Sequence, residues 1–86
     1  MIICWDEEAW QDYIRYQSND KKTLTKINKL VKDIQRNGYD GLGKDEPLRY
    51  MDGDWHSKRI NQKDRLVYRI NGNRLEIIQC KEHYHD

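Results

Sequence analysis

Six residues in strict alternation set the terms for this chain. In Arg65-Leu66-Val67-Tyr68-Arg69-Ile70, Leu66, Tyr68 and Ile70 fall on one side and Arg65, Val67 and Arg69 on the other. A period of two over that length reads as a strand with one buried face. The second face predicts function: two guanidiniums around a valine make a poor core and a good anion site, because each planar fork of donors fits a phosphate. Hairpin signals lie on both sides, at Asn61-Gln62-Lys63-Asp64 and Asn71-Gly72-Asn73, with another at Asp52-Gly53. They divide the second half of the chain into expected strands over 47–51, 55–60, 65–70 and 74–82. Leu75-Glu76-Ile77-Ile78-Gln79-Cys80 is apolar on both sides, as an interior strand would be.

The first half changes period. After a short strand over 1–5, Asp6 stands where an N-cap is wanted, and Glu7 and Glu8 follow where the helix dipole favours negative charge. Trp10, Tyr13 and Ile14 at helical spacing predict a helix from Glu7 to Gln17, and Ser18-Asn19-Asp20 predicts a break. Leu24, Ile27, Leu30, Val31 and Ile34 then mark a second, amphipathic helix, closed by Asn37-Gly38. Tyr39 to Asp45 is read as the one true loop. The order β-α-α-β-β-β-β predicts an α+β fold with two N-terminal helices packed on one face of a small, mainly antiparallel twisted sheet. With 86 residues, a single domain over 1–86 is expected.

Composition narrows the function classes. No apolar run approaches the length of a membrane span, and the start has no basic segment of the kind that directs export, so a cytoplasmic protein is expected. Cys4 and Cys80 form no C-x-x-C pair and are expected as free thiols, although a disulfide between the terminal strands stays open. Cys80 and His83 make half of a zinc site with no second half, so neither metal nor cofactor is expected. The formal net charge is only +1. Its distribution is uneven: residues 1–20 hold five carboxylates against one arginine, residues 21–37 six basic groups against one acidic. Such segregation gives a basic surface despite a neutral total, suited either to solvent or to a polyanion such as ribosomal RNA.

Glu46, Arg59, Arg65, His83 and Tyr84 supply a carboxylate, two guanidiniums, an imidazole and a phenol. Metal-free RNA cleavage needs this set: a base for the ribose 2′-hydroxyl, cations for the phosphorane and an acid for the departing oxygen. Sequence alone leaves open whether Arg59 and Arg65 share a sheet face, because a one-residue shift reverses the answer. It equally leaves open surface salt bridging and no chemistry at all.

Several ordered motifs carry a resemblance. Trp5-x-Glu7-Glu8-Ala9-Trp10-x-Asp12-Tyr13, the helix segment Lys26 to Ile34, Gly41-Leu42-Gly43-Lys44-x-Glu46-Pro47-Leu48, Ser57-Lys58-Arg59-Ile60, Arg65-Leu66-Val67-Tyr68 and His83-Tyr84 together resemble the Txe/YoeB family of RelE-like bacterial toxins. The resemblance implies the microbial-RNase-like, RelE-like fold and a ribosome-dependent mRNA endonuclease that cuts A-site codons. It also implies a YefM-type antitoxin as partner and a homodimer. By position it makes Glu46 the base, Arg65 the phosphate stabiliser, His83 the acid and Tyr84 an aid at base or phosphate, with Lys44 and Arg59 as nearby cations. Two alternatives remain: a ParE-like toxin that binds gyrase, and a non-catalytic RNA-binding module. The chain departs from the family pattern at Asp45 (usually proline), at Trp55-His56, at Asp64 (usually histidine) and in the added His85-Asp86. Asp45 is expected to place a second carboxylate beside Glu46, an arrangement that raises a carboxyl's pKa.

Overall fold

The computed structural model describes residues 1–82. Strand β1 (Ile2–Trp5) leads into helix α1 (Glu7–Asn19) and helix α2 (Lys21–Asn37), and a single 3₁₀ turn follows at Gly38–Asp40. Strands β2 (Glu46–Pro47), β3 (His56–Arg59), β4 (Arg65–Asn71) and β5 (Arg74–Gln79) complete the order. The five strands form one sheet, β1-β5-β4-β3-β2, antiparallel except that β1 runs parallel to β5. The alternating strand β4 lies between β3 and β5, and β5 is interior, as its two apolar sides predicted.

Both helices begin where the side chains dictate. The Asp6 carboxylate accepts from Glu8 N at 3.3 Å. Asp20 closes α1 through its own N–H to Tyr16 O and opens α2 by accepting from Thr23 N and Oγ1 at 3.1 and 2.7 Å. The break is therefore one residue, and α1 runs two residues past the expected Gln17, because Asp20 alone satisfies both helix ends. From α2, Ile27, Leu30, Val31 and Ile34 are buried against Leu66, Tyr68, Leu75 and Ile77 of the sheet. The expected apolar face of α1 is used in part: Tyr13 packs half-buried against the core, as Tyr16 does, Ala9 is fully buried in it, and Trp10 and Ile14 are exposed. Trp10 instead joins Trp5 and Tyr13 in a surface aromatic cluster, with ring centroids 4.5–6.1 Å apart.

Two strands stop three or more residues short of where the sequence suggested, and β3 loses one residue at each end. β2 ends at Pro47 instead of residue 51, and 48–55 is a second loop. Leu48 N bonds Trp55 O at 2.8 Å, and the chain between them turns through Gly53 (φ 107°) and Asp54 (φ 57°), left-handed values that no ladder admits. β5 stops at Gln79, not 82. Cys4 and Cys80 are free thiols. Burial, with the nearby Asp12 and Asp64 carboxylates, pushes the Cys80 thiol up to about 12.

Candidate functional site

Register answers the question left open by the arginines. Arg59 pairs directly with Arg65 across β3 and β4, and directly opposed residues of an antiparallel pair share a face. Ser57, two residues from Arg59, pairs with Glu46 on one side and Val67 on the other. Glu46, Ser57, Arg59, Arg65 and Val67 therefore stand on the face turned away from the helices. Lys44, Glu46, Leu48, Tyr50, Ser57, Arg59 and Arg65 line one cavity there, of about 330 Å³.

The arginine face is thus real but displaced. Arg69 is committed elsewhere: its Nε donates to Glu76 Oε1 at 2.5 Å, its Nη1 to Gly53 O at 3.0 Å, and its guanidinium lies 4.4 Å over the Trp55 ring. The hydrogen bond from Arg69 holds the Glu76 carboxyl below the usual carboxylate range. Val67 is fully buried, beside an irregularity where the β4–β5 register shifts between Val67 and Tyr68. The two guanidiniums at the cavity are therefore Arg59 and Arg65, brought together by the hairpin, and not Arg65 and Arg69 along one strand.

Arg65 is held from behind. Its Nη1 donates to the carbonyls of Asn61 (2.7 Å), Asp64 (3.0 Å) and Gln62 (3.4 Å), all in the turn before β4. Those bonds fix the plane of the fork, and its Nε and Nη2 make no hydrogen bond among the described residues. A guanidinium preset in this way loses little freedom when an anion arrives.

The loop that carries Lys44 and Glu46 is pinned at three places. Asp33 on α2 accepts from Leu42 N at 2.7 Å and from Asn37 Nδ2 at 2.8 Å, and the Leu42 bond chiefly holds its carboxyl below the ordinary range. A Cβ at Gly41 would fall inside that Asp33 carboxylate. Gly43 (φ 89°) gives its carbonyl to Arg59 N at 2.7 Å, and a Cβ there would press on Leu30 and Lys58.

The third anchor is Asp45, and it corrects an expectation. Its carboxylate does not lie beside Glu46; it reaches the helix-facing side of the sheet. Its Oδ2 pairs with His56 Nδ1 at 2.6 Å, and its Oδ1 accepts from the Tyr68 hydroxyl and stands 3.7 Å from Lys58 Nζ. Lys58 is fully buried and also donates to Tyr39 O at 3.1 Å, while the His56 ring stacks on Tyr39 at 3.8 Å. Burial, and then the bond to Asp45, drive the Tyr68 phenol far above its ordinary range. Adjacent residues on extended backbone point to opposite faces, so anchoring Asp45 below the sheet turns Glu46 above it. His56, where the chain departs from the family pattern, belongs to this network. His83 and Tyr84 lie outside the described residues.

Of the residues the sequence nominated, Lys44, Glu46, Arg59 and Arg65 line this one cavity; Leu48, Tyr50 and Ser57 in its wall were not nominated. The signal for Ser57 was present, two residues before Arg59 on a strand; Tyr50 sits in the loop that was read as strand.

Residues 5–84 match the family model described as the YoeB-like toxin of bacterial type II toxin-antitoxin system. Toxin YoeB of Escherichia coli (strain K12) is 44% identical over 85 residues, which cover 98% of this chain and 100% of that protein. Among solved structures, the YoeB dimer from Staphylococcus aureus superposes with a TM-score of 0.90 at 43% identity, over 98% of both chains. The YoeB-YefM complex from the same organism gives 0.84 at 40% identity, again over 98% of both.

Proposed function

This chain belongs to the YoeB-like toxins of bacterial type II toxin-antitoxin systems, and we propose that it is a metal-independent endoribonuclease that cuts mRNA in the ribosomal A site and so stops translation. The observation that carries this reading is the cavity itself: two guanidiniums directly opposed across a hairpin, with a lysine and a carboxylate on the same rim. Three cations around one carboxylate suit a phosphodiester that gains negative charge as it reacts.

In this mechanism Glu46 takes the proton from the ribose 2′-hydroxyl, and the freed oxygen attacks the adjacent phosphorus. Arg65, with Arg59 and Lys44, neutralises the five-coordinate phosphorane. The bond to the 5′-oxygen breaks, and that oxygen leaves with a proton from His83, giving a 2′,3′-cyclic phosphate and a 5′-hydroxyl. Histidine suits the acid role because it titrates near neutral pH, and Tyr84 stacks on a base or steadies the phosphate. An open cavity on so small a domain positions RNA weakly, so the ribosome supplies the orientation.

A YefM-type antitoxin is the natural partner, since the Staphylococcus aureus relative is known in a YoeB-YefM complex; a YoeB dimer from that organism makes self-association the parallel expectation. No helix among the described residues is long and apolar enough to cross a membrane, and the proposed site of action is cytoplasmic.

Purified protein mixed with programmed ribosomes tests the reading. Cleavage at the A-site codon should leave a 2′,3′-cyclic phosphate, stop on a message with a single 2′-deoxy sugar at the scissile position, and slow by about 10²-fold or more in Glu46→Gln and Arg65→Ala. Undiminished cutting by Arg65→Ala and His83→Gln would remove the assigned roles. DNA breakage with translation intact would transfer the chain to a gyrase-directed activity.

A further inference from the structure

Glu46 stands on the thinnest part of the sheet. Strand β2 is two residues long, lies at the edge and ends in Pro47, which has no N–H to give a ladder. The backbone ties on either side are one bond each: Arg59 N donates to Gly43 O at 2.7 Å, and Leu48 N to Trp55 O at 2.8 Å. Between them Lys44 has φ 51°, a left-handed value costly for a residue with a Cβ and kept only where its surroundings impose it. Among the described residues, neither Lys44 nor Glu46 makes a side-chain hydrogen bond or ion pair. A general base must nonetheless stand within hydrogen-bond reach of the proton it takes.

What holds this segment is the side chain between the two. Asp45 meets His56 Nδ1 at 2.6 Å through one oxygen; the other accepts from the Tyr68 hydroxyl and lies 3.7 Å from Lys58 Nζ. Each partner is fixed in turn. Tyr68 and Lys58 are fully buried, on β4 and β3. Lys58 donates to Tyr39 O at 3.1 Å, the Tyr39 hydroxyl accepts from Ile70 N at 2.9 Å, and the His56 ring stacks on Tyr39 at 3.8 Å. Both oxygens of Asp45 are thus clamped to two strands and, through Tyr39, to the turn that ends α2. A buried ion pair is a costly anchor, often matched in stability by apolar residues of the same volume. What the clamp adds is direction: with Asp45 fixed on one side of extended backbone, Glu46 is fixed on the other.

We propose that Asp45 is a positioning residue for the cleavage reaction, its clamp to His56, Tyr68 and Lys58 setting where the Glu46 carboxylate stands in the cavity. The inference rests on the base role given to Glu46 above. Asp45 faces away from the cavity and touches neither RNA nor the reacting atoms; it acts only through Glu46. A misplacement of about 1 Å costs on the order of 10²-fold in rate.

The test is single-turnover cutting of mRNA on saturating programmed ribosomes, at a temperature where circular dichroism shows each variant folded. Asp45→Ala should slow cutting by about 10²-fold and change the ribosome concentration at half-maximal rate little. Asp45→Asn, which keeps an acceptor for Tyr68, should recover part of the rate. The deciding readout is a pair of double variants, because residues that act as a unit are not additive. Added to Glu46→Gln, Asp45→Ala should cost less than about twofold, since there is no base left to misplace. Added to Arg59→Ala, which keeps the base, it should cost the full factor seen in the parent. His56→Ala, which frees one oxygen of Asp45, should show the same pattern at smaller size and serves if Asp45→Ala does not fold. A loss in the Glu46→Gln background as large as that in the Arg59→Ala background would mean that the cavity loosens as a whole, and overturns the inference. Parental cutting by Asp45→Ala, with Glu46→Gln slow, also overturns it and leaves the proposed reaction standing. Parental cutting by Glu46→Gln removes the base role and the inference with it.

Discussion

Removing the Asp45 carboxylate tests the network under the sheet most directly. In Asp45→Ala the Tyr68 hydroxyl loses its acceptor, which for a buried group costs about 1–3 kcal/mol. Lys58, fully buried, loses its ion partner. Breaking a buried pair in this one-sided way costs about 3–5 kcal/mol. The lower end applies here, because the pair is 3.7 Å apart, the Asp45 side chain is 14% exposed and Tyr39 O still accepts from Lys58. Shared between the two groups, a loss of about 3–4 kcal/mol follows, a large part of the roughly 4–13 kcal/mol expected of a domain this size. The melting temperature should fall by more than about 12 °C. Urea unfolding followed by tryptophan fluorescence measures it, and two further variants check the cause. Asp45→Asn restores an acceptor for Tyr68 and should recover part of the loss. Lys58→Met in the Asp45→Ala background removes the stranded charge and should be more stable than Asp45→Ala alone. A loss under about 1 kcal/mol, or a double variant less stable than the single, would refute the reasoning.

Two further outcomes follow from the same geometry. The Cys80 thiol, pushed up to about 12 by burial, should resist a disulfide reagent at pH 8 until the protein unfolds; labelling of the native protein at Cys80 at the rate of a free thiol would contradict the packing. Asp33 is held below its ordinary range by Leu42 N–H and then by the Asn37 amide, so its contribution is complete above the unfolded carboxyl pKa of about 3.9 and is lost as pH falls through the lower folded value. Asp33→Asn should therefore be less stable than the parent at pH 7 and converge with it in strong acid, and a difference that grows on acidification would reverse the sign.

Legibility in the sequence followed the range of the interaction. α2 announces itself because its five apolar positions repeat a local period, and β4 does so by its alternation. What failed was decided by partners distant in the chain. Trp10 and Ile14 fit a helical apolar face, but which face meets the core depends on where β5 lies, and Ala9 is the residue that fits against it. Residues 48–51 carry strand-compatible side chains, yet the two left-handed residues Gly53 and Asp54 draw the chain away after Pro47. At the site, residue types made Glu46, Arg59 and Arg65 candidates and the family resemblance gave them and Lys44 their roles, but only the β3–β4 register shows that the two guanidiniums oppose each other. Asp45 was legible as a carboxylate next to Glu46, and nothing local says that it faces the other way.

The parallel pairing of β1 with β5 also governs when a newly made copy becomes dangerous. Among the described residues the opening strand pairs with β5 alone, and Leu75 and Ile77 close the interior from that same strand. During synthesis the helices can form early, but they have no complete floor to rest on until residues 74–79 have cleared the exit tunnel. A copy interrupted before that point keeps β1 unpaired and the cavity wall unsupported. The toxin's fold therefore closes only once β5 has been made and has found β1.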